Sequence, residues 1–249
     1  MQCGRKGGIM RRTDKLWDGF SLIQDDRFFK LGQDSVLLSA FAAPPARGNV
    51  MDLGCGNGAL GVLLCARYPQ LSVTGMEIQP EVAALARENA AQNGLDKRLH
   101  IVNADWNDCR TLFSGGLFDY IVCNPPYFAK SSGFSAAGAN RQKARQDTAG
   151  TAEHAVRAAA YLVKYGGRVA FVYRPERLCE LIAAMQAVQL EPKRLRMIHQ
   201  TARAVPSAVL IEARRGSASG LQILPPLLVC GEDGQQTAEY RAIYHREEN

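Results

Sequence analysis

The sequence CNPPYF follows an apolar run, FDYIV, that is typical of a buried strand. Because proline has no backbone N–H and cannot continue a central strand, we expect the strand to end before Asn124. The side-chain oxygen of Asn124 and the carbonyl of Pro125 can then accept hydrogen bonds from one amino group. Pro126 adds rigidity, and Tyr127 or Phe128 can stack on a planar base. The pattern therefore predicts a site that positions a planar amino nitrogen, with these catalytic residues: Asn124, Pro125, Pro126 and Tyr127.

A second candidate site is the glycine-rich sequence MDLGCGNGALG, which joins a predicted strand to a predicted helix. Glycine lets a ligand approach the backbone closely, and ligands of open α/β sheets bind at the carboxyl ends of the strands. The loop has an acid before three alternating glycines: Asp52, Gly54, Gly56 and Gly58. Two further acids, Glu77 and Asp105, end the next two predicted strands. The sequence thus predicts three carboxylates along one edge of the sheet.

Three acids at this edge suit a ligand that carries positive charges and hydrogen-bond donors. S-adenosylmethionine has an ammonium, a sulfonium, two ribose hydroxyls and an adenine amino group. We expect Asp52 to lie nearest its methionine end, Glu77 to accept from the ribose hydroxyls and Asp105 to accept from the adenine amino group. Trp106 is expected to stack on the adenine, and Ile78 completes this part of the predicted site. Asn124 is expected to contact the cofactor as well.

A dinucleotide is an alternative ligand for the same loop. Gly56-x-Gly58-x-x-Gly61 matches the dinucleotide fingerprint, and Glu77 lies at about the distance at which such folds place a ribose-binding acid. A pyrophosphate is, however, poorly suited to a loop with carboxylates beside it. On the sequence alone, a nicotinamide or flavin cofactor nevertheless remains an alternative to S-adenosylmethionine.

The elements that would position these residues alternate between strand and helix. This order predicts an α/β fold with a mostly parallel seven-stranded sheet, helices on both faces and a last strand that is antiparallel because only a short turn precedes it. A short strand pair and a helix from about Ser35 precede the glycine loop. The predicted strands are 49–55, 71–78, 100–105, 118–123, 167–174, 193–199 and 207–215, and the helices are 58–68, 80–94, 151–165 and 174–189.

We interpret residues 1–249 as one domain, with a flexible basic leader at 1–15 and a short C-terminal extension at 221–249. The net charge is +6 and the sequence pI is about 9.0, as is common for proteins that bind polyanions. The seven cysteines form no CxxC pair, which favours a reducing cytoplasm and argues against a metal site. No apolar run is long enough to span a bilayer, so we expect no membrane association.

DLGCGNG followed by NPPY resembles the class I S-adenosylmethionine-dependent methyltransferases that modify amino nitrogens. NPPY occurs in adenine-N6 enzymes, in guanine-N2 rRNA enzymes and in protein-glutamine-N5 enzymes of the release-factor type. The upstream segment FFKLGQDSVLLSAFA resembles the K-x-G-x-D-x-x-L-L segment of bacterial tRNA (adenine-N6)-methyltransferases that act on adenine 37 of a valine tRNA. The similarity runs from about Trp17 to the C-terminal PPLLV and YRAIY sequences.

This resemblance implies a Rossmann-like fold, S-adenosylmethionine as cofactor and an adenine of a tRNA anticodon loop as substrate. It also implies that Lys30, Gln33 and Asp34 close over the cofactor or line the site. For Gln33 and Asp34 the alternative is that they cap the helix that starts near Ser35. An ARHE-like sequence usually follows NPPY in the family; the corresponding residues 144–147 read ARQD and lack the histidine.

Basic residues cluster in the segment that follows the CNPPYF turn. The predicted role of this cluster, Arg141, Lys143 and Arg145, is to bind RNA phosphates and so to place a nucleotide over Asn124. Tyr127 and Phe128 would stack on the base of that nucleotide. Further cations occur near the N-terminus and in the last two strands: Arg11, Arg12, Lys15, Lys193, Arg194, Arg196, Arg214 and Arg215. A protein-glutamine methyltransferase, an rRNA guanine-N2 methyltransferase and a non-catalytic nucleic-acid binder remain alternatives on the sequence alone.

Overall fold

The computed structural model describes residues 11–125 and 148–244. A two-stranded sheet is followed by a mixed sheet with helices on both faces. The strands are β1 (Arg11–Lys15), β2 (Ser21–Asp25), β3 (Arg47–Leu53), β4 (Gln70–Glu77), β5 (Leu99–Asn103), β6 (Phe118–Cys123), β7 (Val163–Tyr173), β8 (Leu190–His199), β9 (Pro206–Arg215), β10 (Gln222–Ile223) and β11 (Leu227–Leu228). The helices are α1 (Gln33–Phe41), α2 (Ala59–Arg67), α3 (Pro80–Gln92), α4 (Cys109–Leu112), α5 (Thr148–Leu162), α6 (Leu178–Ala187) and α7 (Ala238–Ile243), with 3-10 turns at Trp106–Asp108 and Pro175–Arg177.

The large sheet has the order β10-β8-β9-β7-β6-β3-β4-β5, with β11 also paired to β8. All seven predicted strands are present, and β9 is antiparallel to both β7 and β8, as the short connection predicted. The sheet nevertheless has nine strands rather than seven. The two additional strands are only two residues long and come from the C-terminal extension, too short to leave a period-two pattern in the sequence.

The predicted flexible leader needs a correction over its last five residues. Arg11–Lys15 forms β1, which pairs antiparallel with β2, so the short strand pair begins earlier than the sequence indicated. Fully buried Asn89 of α3 secures this hairpin: its Oδ1 accepts from the Ile23 N–H at 2.7 Å and its Nδ2 donates to the Ile23 carbonyl at 3.1 Å. These long-range bonds override the charged, glycine-rich local sequence. Residues 1–10 lie outside the described part of the chain.

Each face of the sheet buries a separate apolar cluster. One cluster joins α1 and α2 to the strands through residues such as Leu38, Leu64 and Val122. The other joins α5 and α6 to the opposite face through residues such as Val156 and Leu181. The near-continuous apolar runs of the central strands follow from this burial on both faces. The predicted extension contributes as well, since Leu227, Val229 and Tyr240 belong to the first cluster.

Among the described residues, no helix combines the length and the apolar character that crossing a bilayer requires.

Candidate active site

The glycine loop and Asn124 are brought together by the pairing of β3 with β6. These strands are parallel, and Leu53 lies opposite Cys123, so that Gly54 and Asn124 leave the sheet side by side at its carboxyl edge. The strand β6 ends at Cys123, as the two prolines predicted. Pro125 is buried directly after it. Neighbouring strands are about 5 Å apart, which places the two predicted sites within reach of one small ligand.

The glycine loop has a backbone that side chains would not permit. Gly54 and Gly56 have φ of 74° and 55°, in the left-handed region that favours glycine. The Gly54 N–H donates to the Met76 carbonyl at 2.9 Å, which folds the loop back onto the end of β4. A Cβ on Gly54 would lie 3.1 Å from the Trp106 ring, whereas a Cβ on Gly56 would meet nothing within 4 Å. The space beside Gly56 is therefore open to a ligand.

Asp52 is the most unusual acid of the site. It is 1% exposed, and its Oδ2 has no hydrogen-bond partner among the described residues. Burial raises the pKa of Asp52 to about 7; the charge of Glu77 adds to the rise, and the Gly61 N–H acts in the opposite direction. The Nδ2 of buried Asn57, in the same loop, likewise has no partner among the described residues. Unsatisfied buried polar atoms are costly, so a ligand that meets them would bind favourably.

Glu77 also lies at this edge and holds the loop. Its Oε2 accepts from the Gly56 N–H at 3.1 Å and its Oε1 accepts from the Gln79 N–H at 2.8 Å. The side chain is 7% exposed, and burial raises its pKa. Each carboxylate oxygen can accept a second hydrogen bond. The expected contact of Glu77 with two ribose hydroxyls therefore remains open, and the same carboxylate also orders the glycine loop.

The third acid, Asp105, lies in a different setting. Its Oδ1 caps the 3-10 turn by accepting from the N–H and the Nδ2 of Asn107, both at 2.9 Å. Trp106 is partly buried, with its ring against Gly54. Ile78, after β4, is 58% exposed. Trp106 and Ile78 are thus apolar surfaces near the loop that are suited to a planar ring.

Asn124 is held by a residue distant in sequence. Its Nδ2 donates to the Ser35 Oγ at 3.0 Å, across 89 positions of the chain. Because the amide nitrogen is engaged in this bond, the carbonyl oxygen Oδ1 is the group that remains to accept from a ligand. Ser35 lies in the first turn of α1, a helix that contacts β7 and β9 of the sheet. The hydrogen bond therefore sets the orientation that the predicted chemistry of Asn124 requires.

The segment before Ser35 corrects one sequence-based alternative. Helix α1 begins at Gln33 with Gly32 as its N-cap and no side-chain capping bond, so neither Gln33 nor Asp34 caps it. Asp34 is half-buried beside Asn124's partner Ser35, and burial raises its pKa, an effect that the Arg174 guanidinium partly offsets. Lys30 instead forms an ion pair with Asp26 at 2.6 Å. Its expected place over the cofactor would require it to leave this pair.

Several predicted residues lie outside the described part of the chain: Pro126, Tyr127, Phe128, Arg141, Lys143 and Arg145. The cations of the last strands are within it and are engaged in structural contacts. Arg194 bonds to buried Glu212 at 3.0 Å, Arg214 donates to the Gly166 carbonyl, and Arg215 donates to the Val163 carbonyl near the start of β7. Arg214 and Arg215 therefore lie toward the amino ends of β6 and β7, opposite Asn124.

These observations test which cofactor the loop fits. Buried Asp52 has an oxygen without a hydrogen-bond partner and forms no ion pair among residues 11–125 and 148–244, so it matches a ligand with a positive charge. Ile78 and Trp106 match an aromatic ring. A pyrophosphate fits poorly, because Glu77 already occupies the Gly56 N–H and two carboxylates would repel it. S-adenosylmethionine thus fits these residues better than a dinucleotide. Among the described residues, no cluster of three His, Cys, Asp or Glu side chains could hold a metal ion.

Two residues at this edge were missed from the sequence. Ser35 follows the K-x-G-x-D signature directly, but its role depends on a contact with a residue far along the chain. Asn57 lies between Gly56 and Gly58, and only its burial reveals an unsatisfied donor. The asparagine inside the glycine loop is a sequence signal for a site residue, whereas no local pattern predicts the contact of Ser35 with Asn124.

Comparisons with known proteins agree with this geometry. Residues 32–191 match the family described as Methyltransferase small domain. The chain is 32% identical over 201 residues to the tRNA1(Val) (adenine(37)-N6)-methyltransferase of Porphyromonas gingivalis strain W83, covering 78% of each chain.

Solved structures share the fold. A predicted O-methyltransferase, protein Atu636 from Agrobacterium tumefaciens, has a TM-score of 0.71 at 23% identity, covering 87% of this chain and 98% of that one. A geranyl diphosphate methyltransferase in complex with SAM has a TM-score of 0.53 at 17% identity, covering 73% and 84%. With the family match, these likenesses identify a Rossmann-like class I methyltransferase fold. The chain belongs to the methyltransferase small domain family, and its cofactor is S-adenosylmethionine.

Proposed function

We propose that this protein methylates the exocyclic N6 amino group of an adenine in tRNA, namely adenine 37 in the anticodon loop of a valine tRNA. The structural observation that carries the proposal is the Asn124–Ser35 hydrogen bond, which leaves the Asn124 Oδ1 as a fixed acceptor beside the glycine loop. The name of the Porphyromonas gingivalis relative supports the choice of substrate over a protein glutamine or an rRNA guanine. The basic composition suits an RNA partner, and such a substrate places the reaction in the cytoplasm.

Asn124 and Pro125 would act on the substrate nitrogen. The Asn124 Oδ1 and the Pro125 carbonyl each accept one hydrogen bond from the N6 amino group, which draws its lone pair out of conjugation with the ring and aims it. When bound, S-adenosylmethionine would supply an electrophilic methyl group to this nitrogen, and the electron pair of the carbon–sulfur bond would stay on sulfur. The nitrogen then loses one proton to water. No strongly basic side chain is required.

The remaining site residues would hold the cofactor. Asp52 would face its positively charged methionine end, Glu77 its ribose and Asp105 its adenine, with Ile78 and Trp106 against the ring. Asn57 would donate to an acceptor on the same ligand. Gln33, Asp34 and Lys30 are proposed to close over it. Tyr127 and Phe128 are proposed to stack on the target base, while its flanking phosphates meet this basic cluster: Arg141, Lys143 and Arg145.

Mass spectrometry of nucleosides tests the proposed function. Unmodified valine tRNA incubated with the protein and S-adenosylmethionine should gain one N6-methyladenosine, and a transcript with guanine at position 37 should gain none. A parallel reaction with purified release factor and labelled cofactor should show no incorporation. Label in the release factor, or N2-methylguanosine in rRNA, would replace the proposal with one of the two alternatives.

Ser35 is expected to be a positioning residue for Asn124. Ser35→Ala should lower kcat by roughly 10- to 30-fold while KM for both substrates stays within about twofold, since a bond that only orients a catalytic group acts on the transition state. Steady-state kinetics with valine tRNA measure this. Ser35→Thr keeps a hydroxyl and should restore most of kcat.

Ser39→Ala is the matched control in the same helix. The Ser39 hydroxyl is buried and accepts from Arg67 at 3.1 Å, so its loss should lower the melting temperature and leave kcat nearly unchanged. If Ser35→Ala behaves like Ser39→Ala, with lower stability and normal kcat, Ser35 does not position Asn124.

A further inference from the structure

Two arginines differ from every other arginine of residues 11–125 and 148–244. The guanidinium groups of Arg174 and Arg203 form no hydrogen bond, ion pair or ring contact within that part of the chain. The remaining arginines each have such a partner; Arg47, for example, donates to Gln70, and Arg177 bonds to Glu180 at 2.7 Å. Arg174 and Arg203 are also exposed. An unpaired, exposed guanidinium keeps all its donors available for a phosphate or carboxylate.

Arg174 lies at the catalytic edge. It directly follows β7, the neighbour of β6, and the pairing of Cys123 with Phe171 places Arg174 just beyond the level of Asn124. Its charge acts on Asp34, the residue next to Ser35. Arg174 therefore lies at the edge of the sheet that carries Asn124 and its partner Ser35, and it forms no ion pair with Asp34.

The β8–β9 turn, which contains Arg203, lies at the same edge of the sheet. Because β9 runs antiparallel to β7 and Val209 pairs with Tyr173, the beginning of β9 extends beyond the end of β7. The β8–β9 turn at residues 200–205 thus projects past the carboxyl edge of the sheet. The turn is held by its own bonds: the Ala204 N–H donates to the Thr201 carbonyl at 3.1 Å, and the Ala204 carbonyl contacts the His199 ring nitrogen at 2.7 Å. The backbone of this turn is thus held by hydrogen bonds, whereas the Arg203 guanidinium forms no hydrogen bond, ion pair or ring contact among the described residues.

Arg174 and Arg203 lie on the same side of the site. In the sheet order, β7 is one strand from β6, β9 is two and β8 is three. By strand spacing, Arg174 therefore lies about 5 Å to the side of β6, and the β8–β9 turn that carries Arg203 lies about 10 to 15 Å to the same side. Val205, in the same turn as Arg203, is 84% exposed, the most exposed large apolar side chain of the described residues. A positively charged, partly apolar rim is typical of surfaces that hold nucleic-acid backbone.

We propose that Arg174 and Arg203 bind phosphates of the tRNA that flank the methylated nucleotide. This inference rests on the proposed function. It adds a second RNA-contacting surface, formed by the end of β7 and the β8–β9 turn, to the basic cluster predicted after NPPY. A guanidinium matches a phosphate with two parallel N–H bonds, and such contacts set the position of the RNA without reading its bases. The pair would hold the anticodon loop from the β7–β9 side of Asn124.

Salt-dependent binding of valine tRNA tests the inference. The variants are Arg174→Gln, Arg203→Gln and the double substitution, with Arg47→Gln as matched control, because Arg47 is exposed at the opposite end of β3. Fluorescence anisotropy should show that each single variant weakens the tRNA Kd several-fold at low salt. Each should reduce the slope of log Kd against log salt by roughly 0.7 to 0.9, and the double variant by about twice that. Arg47→Gln should match wild type.

Further readouts separate phosphate binding from other roles. A non-cognate tRNA should lose the same factor in affinity, because phosphate contacts carry no sequence information. The KM for tRNA should rise while kcat at saturation and the cofactor Kd stay near wild type. An unchanged salt slope, or a loss confined to cofactor affinity, would overturn the inference while leaving tRNA methylation in place. A wild-type protein that neither binds nor methylates tRNA would instead overturn the proposed function and this inference with it.

Discussion

Asn124→Ala should lower kcat for adenine methylation by about a thousandfold, because the substrate nitrogen loses the acceptor that orients its lone pair. The Kd for S-adenosylmethionine should stay within about threefold, since the cofactor contacts lie on the glycine loop and its acids. Single-turnover kinetics with saturating enzyme measure the chemical step directly, and isothermal titration calorimetry measures cofactor binding.

Asn49→Ala is the control for this substitution. Asn49 is exposed at the amino end of β3, far along the strand from the glycine loop, so its loss should change neither quantity. Near-normal turnover in Asn124→Ala would remove Asn124 from the mechanism. A large loss of cofactor affinity with little change in the chemical step would assign Asn124 to cofactor binding instead.

Asp52→Asn should weaken cofactor binding by roughly 10- to 100-fold at pH 8, the range expected for hydrogen bonds to a charged group. The substitution should also remove the pH dependence of the affinity for S-adenosylmethionine. Burial raises the pKa of Asp52 to about 7, and a cationic ligand needs the ionised carboxylate. In the wild type, affinity should therefore rise by up to about tenfold per pH unit below pH 7 and level off above it. Calorimetry between about pH 5.5 and pH 8 tests this.

The same ionisation predicts the pH dependence of stability without ligand. The pKa of Asp52 is higher in the folded than in the unfolded protein, so its contribution to the free energy of unfolding is full below about pH 4. That contribution is lost as pH rises through about 7. Asp52→Asn should thus be more stable than wild type at pH 8, by roughly 4 kcal/mol at most. The site residue that binds the cofactor is expected to destabilise the empty fold.

Asp96→Asn is the matched control for both measurements. Asp96 is an exposed acid in the turn after α3 and should leave the affinity and its pH profile unchanged. A wild-type affinity that is flat with pH, or an Asp52→Asn variant that retains the wild-type profile, would show that Asp52 does not meet the positive charge of the cofactor.

The sequence alone determined the strand–helix alternation, the end of β6 and the position of the glycine loop. These features depend on local physics: apolar period, the missing N–H of proline and the positive φ that glycine allows. The hairpin of β8 and β9 was predictable because its turn is too short for a crossover helix. Two-residue strands and the strand at Arg11–Lys15 were missed because long-range pairing, rather than local pattern, forms them.

Tertiary structure alone decided which polar groups lie together and which are already satisfied. The sequence indicated that Asp52 and Asn124 belong to the site. Only the folded chain showed that the buried Asp52 Oδ2 has no hydrogen-bond partner among the described residues and that Ser35 orients the Asn124 amide. It likewise separated Arg174 and Arg203 from many similar cations engaged in structural contacts. Hydrogen bonding and burial depend on positions distant in the chain, and no local pattern of residues encodes them.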